Sequence, residues 1–141
     1  MTYNHSQYFK HDIVEAAIIE DSKILLLDTK KLLKLPGGIR EQDESDIGCL
    51  ERILKKNIGI SPQDSHYYAT YTGIDPKKRI DISSGIYRVT LENPLGISRG
   101  DFSQSFEWLT PEEVETDQRL INPVTYEVIN SLIGDGYLHY K

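Results

Sequence analysis

Apolar and polar positions alternate in short blocks over the first third of the chain and then change period. Ile13 to Ile19 is β-branched and alanine-rich, and Asp21-Ser22 marks a turn before Lys23 to Leu27, which predicts a hairpin-like pair of strands. The run Ile24-Leu25-Leu26-Leu27 lacks alternation, which suits a strand buried on both faces. After a turn at Asp28 to Lys31, Leu32 to Leu35 returns as a short strand into Pro36-Gly37-Gly38, where proline fixes one backbone angle and two glycines permit a sharp exit. From Ser45 to Asn57 the period becomes helical: Ile47, Leu50, Leu54 and Ile58 form one apolar stripe, and Gly59 stops it.

Beyond this helix, Ser61-Pro62 reads as a connector and His66 to Gly73 as a strand rich in tyrosine and threonine. Asp75-Pro76-Lys77-Lys78 is a turn, and Arg79 to Leu91 is a long strand with a bulge or bend expected near Gly85. Glu92 to Phe102 reads as a loop. Phe106 to Leu109 leads into Thr110-Pro111-Glu112-Glu113-Val114, where threonine caps a short helix and proline takes its first position. A closing helix from about Pro123 to Ile133 carries Val124, Val128, Ile129 and Leu132 at helical spacing and ends at Gly134.

The stretch Gly37 to Ile60 carries a second pattern. Gly38, Glu44, Arg52, Leu54, Gly59 and Ile60 fall without a gap on G-x5-E-x7-R-E-U-x-E-E-x-G-U, U being bulky and apolar. The chain therefore resembles the Nudix hydrolase superfamily. The resemblance implies an α/β fold, a Nudix-type α/β/α sandwich with a mixed sheet, over a core of about residues 12 to 133 of one domain; the Phe106 to Val114 stretch resembles the family's last strand and following helix.

In that family the three glutamates of R-E-U-x-E-E hold divalent cations that polarise a diphosphate and activate water. Here those positions are Ile53, Lys56 and Asn57. Positions i, i+3 and i+4 share one sector of a helix, so an acidic face has become one apolar, one cationic and one amide group. Magnesium takes hard oxygen ligands, which isoleucine and lysine lack. Glu51 points about 200° away around the helix. Glu44 remains, with Glu41, Asp43 and Asp46 before the helix. No catalytic residue is assigned: Glu44 and Arg52 are retained from the box and read best as a structural pair. The candidate ligand-binding residues are Lys56, Arg52, Gly37 and Gly38, and no metal site or cofactor is expected; the alternative is an active pyrophosphohydrolase that uses Mg2+ or Mn2+ and atypical carboxylates on a nucleoside diphosphate-linked compound.

Composition narrows the partners. A chain of 141 residues, 38% hydrophobic and 27% charged, suits one domain with a sizeable core. The net charge of −6 argues against general nucleic-acid binding, although lysines 30, 31, 34, 55, 56, 77 and 78 could gather locally. Cys49 is the one cysteine, so no intrachain disulfide forms and a reducing, cytoplasmic setting is expected. No apolar run approaches the length of a membrane span. The four histidines lack metal-ligand spacing. The resemblance also implies a late-chain carboxylate as general base, for which Asp101 and Glu107 are the candidates; Trp108 and the tyrosines are candidates for stacking on a nucleobase. The partners this leaves are a nucleotide or other phosphate-containing small molecule, a protein partner, or a second copy of the chain.

Overall fold

The computed structural model describes residues 10–75, 80–93 and 105–140. Within them the chain runs β1 (Ile13–Glu20), β2 (Lys23–Asp28), β3 (Leu33–Lys34), β4 (Gly37–Ile39), α1 (Asp46–Ile58), β5 (Pro62–Asp75), β6 (Ile80–Leu91), β7 (Ser105–Leu109), α2 (Pro111–Thr116) and α3 (Pro123–Gly134). Among the described residues seven strands form one mixed sheet of order β3-β2-β1-β6-β5, with β4 on β1 and β7 on β2. β1 and β6 are parallel; the other pairs are antiparallel.

Strand alternation sorts the core into two layers. Val14, Ala16, Ile18 and Leu25 face α1, where Leu50, Ile53, Leu54 and Ile58 complete one cluster. Ala17, Ile24 and Leu26 face the opposite way, toward Val128, Ile129 and Leu132 of α3. The unbroken run in β2 is thus buried on both faces, and the two helices lie on opposite sides of the sheet, an α/β/α sandwich.

Three boundaries differ from the sequence reading. The stretch from Leu32 to Ile39 holds two strands rather than one, because Leu33–Lys34 pairs with β2 while Gly37–Ile39 crosses to β1. Ser61-Pro62 is no connector: Pro62 begins β5, an edge strand where a residue without an N–H is tolerated. The irregularity expected at Gly85 lies instead in β5, where Gln63 and Tyr68 interrupt the register. Gly85 has a different reason to be glycine. A Cβ there would lie 2.5 Å from Nδ1 of His11, whose ring covers it. Of the turn expected at 75–78, Asp75 ends β5 and the rest, with lysines 77 and 78, lies outside the described residues, as do most of the 92–102 loop and Asp101.

The same His11 fixes the start of α1. Its Nδ1 lies 2.5 Å from Asp46 Oδ2 and its backbone N–H donates to Asp46 Oδ1 at 2.9 Å. Tyr87 of β6 donates its hydroxyl to Asp46 Oδ2 at 2.7 Å. Asp46 is wholly buried, so these bonds replace the water it has lost; burial and that bond push the Tyr87 phenol well above its ordinary pKa.

Candidate functional site

The candidate site is the turn from β4 into α1, and its first requirement is close approach of backbones. A Cβ on Gly37 would collide with the Val14 carbonyl oxygen and stand 2.7 Å from Glu15 Cα, so only glycine lets β4 lie against β1. A Cβ on Gly38 would stand 2.6 Å from Ile53 Cδ1. Residues 40–45 then lead into the helix, where Ser45 Oγ accepts from Gly48 N–H at 3.0 Å. At the far end Gly59, at φ 73°, turns its N–H onto the carbonyls of Leu54 and Lys55.

Two arginines hold this loop. Arg52 Nε and Nη2 donate to Glu44 Oε2 and Oε1 at 2.6 and 2.8 Å, a bidentate fork, and Nη2 also donates to the Ile39 carbonyl at 3.0 Å. The guanidinium drags the Glu44 carboxyl down to a pKa of about 2. Glu44 Oε1 further accepts from Glu41 N–H at 2.9 Å. Arg40, which the sequence pattern did not single out, donates to the carbonyls of His11 (2.8 Å), Glu41 (3.0 Å), Gln42 (3.3 Å) and Glu44 (2.9 Å). Nothing in the spacing marks Arg40, because its partners are main-chain oxygens brought together by the turn.

The helical sector at positions 53, 56 and 57 departs from an acidic face in the way its residue types dictate. Ile53 is 6% exposed and packs into the α1-side core. Lys56 is exposed. Asn57 Oδ1 is buried without a hydrogen-bond partner, one hard oxygen where a cation would need several. Glu44, the retained carboxylate, has both oxygens engaged by Arg52. Among the described residues no three His, Cys, Asp or Glu side chains gather where they could hold a metal ion. The donor set present does not fit the divalent-cation site that the resemblance implies.

The other candidates separate. Cys49 is buried in α1, its thiol pushed up to about 11 chiefly by burial, which makes it a packed residue and not a nucleophile. Trp108 and Phe106 lean on the α1-side core. Glu107 is drawn into an ion-pair cluster around Arg119 with Asp28 and Asp117. Sequence reading missed Glu15, a carboxyl on β1 opposite Gly37 that is 5% exposed; burial raises its pKa, opposed by the nearby charge of Lys34. A glutamate in a β-branched run was the available signal. Among the described residues no helix is long and apolar enough to cross a membrane.

Comparisons with known proteins agree with this geometry. The NUDIX domain profile matches residues 10–131. The solution structure of the Escherichia coli ORF135 protein is similar at 26% identity and a TM-score of 0.68, over 85% of this chain and 88% of that one. The NUDIX domain of Shewanella oneidensis NrtR, solved with ADP ribose, is similar at 20% identity and a TM-score of 0.70, over 91% and 90%. A bifunctional NMN adenylyltransferase/ADP ribose pyrophosphatase from Francisella tularensis, solved with AMP and a manganese ion, is similar at 18% identity and a TM-score of 0.67, over 90% of this chain and 42% of that one. No curated protein matches the chain by sequence. With the profile covering both the glycine loop and the tryptophan strand, the chain belongs to the NUDIX domain family.

Proposed function

We propose that this chain is a Nudix-fold module that binds a nucleotide or another phosphate-bearing small molecule and cuts it slowly or not at all. The observation that carries the reading is Ile53: a family metal-ligand position is occupied by an apolar side chain packed into the core beneath Gly38. Metal-assisted hydrolysis draws both charge stabilisation and activated water from the cation. With Glu44 held by Arg52 and positions 53, 56 and 57 unable to form a carboxylate set, neither contribution has its protein ligands.

What remains suits anion binding. Lys56 places an exposed cation on the sector where metal charge would stand, and lysine serves phosphate as a point charge. Arg52 reaches from α1 to the Ile39 carbonyl, next to Gly37 and Gly38 of β4. Neighbours of this fold were solved with ADP ribose and with AMP and manganese, which supports a nucleotide-linked ligand.

The test is nucleotide affinity in chelator, compared between the native chain and Lys56→Ala. Binding that survives chelation, weakens with salt and falls at least tenfold in the variant supports the reading. Affinity that vanishes with the chelator, or magnesium-dependent turnover lost in Glu44→Gln, would show that other carboxylates had assembled an active enzyme.

A further inference from the structure

On the α3 side of the sheet, away from the glycine loop, a cavity of about 220 Å³ opens between β1, β6, β5 and the chain that follows α3. Ala17 and Ile19 line it from β1, Arg88, Val89 and Thr90 from β6, His66 from β5 and Tyr137 from the C-terminal segment. Ala17 and Ile19 lie two and four residues beyond Glu15, the partner of Gly37, so its β1 wall starts about 7 Å along the strand from the turn.

Arg88 is the unusual residue. Its guanidinium carbon sits 4.1 Å from the centre of the Tyr137 ring, and its Nε is buried with no hydrogen-bond partner. Among the described residues it has no ion-pair partner. A ring face offers a cation favourable charge but does not replace the acceptor that the buried Nε–H has lost on leaving water. The register supplies more donors nearby: His66 is directly opposite Arg88, and Thr90, two residues on, shares its face. Asp64, opposite Thr90, is exposed and makes no ion pair with Arg88.

We propose that this cavity is a second anion site, built for a phosphoryl group. A planar carboxylate is satisfied by one arginine fork, whereas a tetrahedral phosphoryl group also takes donors from other directions, here the Thr90 hydroxyl and the His66 ring N–H. The apolar walls from Ala17 and Ile19 leave room for a small organic body attached to that group.

The experiment is an NMR titration of the isotopically labelled full chain with inorganic phosphate in chelator, with acetate as the control anion. Saturable shifts at the amides of Ala17, Val89 and Thr90, weakened at least tenfold by Arg88→Gln and unchanged by Lys56→Ala, are expected. Shifts confined to residues 37–60, no saturable shift at all, or native affinity in a folded Arg88→Gln would overturn the site. If Arg88→Gln does not fold, the exposed pair His66→Gln with Thr90→Val decides: native affinity in that variant overturns the proposal, and a loss of several-fold supports it. An equal response to acetate would overturn the phosphoryl assignment.

Discussion

Ile53 lies beneath Gly38 so closely that its Cδ1 would be 2.6 Å from any Cβ added there. A side chain at a family metal-ligand position has become part of the core, and the glycine loop rests on it. Alanine substitutions separate the two glycines. At Gly37 a Cβ meets the Val14 and Glu15 backbone, which does not yield, and Gly37→Ala should cost about 2–4 kcal/mol. At Gly38 it meets the end of one side chain, and the cost should be about 1 kcal/mol. Denaturant unfolding of both variants checks the order; an equal or reversed cost would contradict it.

Restoring the acidic face asks whether three positions decide cation binding at α1. Ile53→Glu, Lys56→Glu and Asn57→Glu together should bind manganese at least tenfold more tightly by calorimetry than the native chain does. Burying a carboxylate at position 53 should also destabilise the chain by about 1–3 kcal/mol without metal. Equal manganese binding in the native chain would mean that the present residues suffice.

The Glu44–Arg52 fork has a pH signature. The folded carboxyl, at about 2, lies below its ordinary value of 4.5, so the pair's stabilisation is fully present above about 4.5 and is lost as pH falls from there through 2. Arg52 is 37% exposed, which limits the pair to about 1 kcal/mol after solvent screening. Glu44→Gln should remove that part of the acid-side slope. An unchanged slope between pH 4.5 and 2 in the variant would place the titration elsewhere.

Glu15 has the opposite sign. Burial raises its folded pKa, so stability is greatest while both states hold the proton and declines as pH rises from the ordinary carboxylate range through the folded value. Glu15→Gln should flatten that decline and be the more stable protein at pH 7, by about 1 kcal/mol. A variant less stable than the native chain at pH 7 would show that the ionised carboxylate has a compensating partner.

Asp46 joins two residues distant from it in sequence, His11 and Tyr87. Asp46→Ala leaves the Nδ1 of His11 and the Tyr87 hydroxyl without their acceptor at a fully buried position and should cost about 3–5 kcal/mol. Asp46→Asn, which keeps an acceptor, should cost less. Thermal unfolding distinguishes them, and equal losses would mean that the charge, not the acceptor, matters.

Much of this molecule could be read directly from the chain, because the signals are local. Helical spacing from Ile47 to Ile58, the Gly59 stop, the Thr110-Pro111 cap and the unalternating run in β2 each depend on neighbours a few residues away, and all appear in the structure. So does the Glu44–Arg52 pair, since two helical turns and a cap fix its geometry. Other features required the fold. Tyr68 became a bulge because its strand must match β6 while lying at an edge, and Gly85 is glycine because a histidine seventy-four residues earlier lies on it. Arg40 serves carbonyls that only the closed turn gathers. Asp46 looked like one more loop acid, yet its partners come from β6 and from just before β1. Glu15 and Arg88 are charged residues inside apolar strands, and only the packing of α3 and the segment after it decides how much water each retains. Sequence determined the elements and the residue types on α1; tertiary structure decided which polar groups are answered, because burial and partners are properties of distant segments brought together.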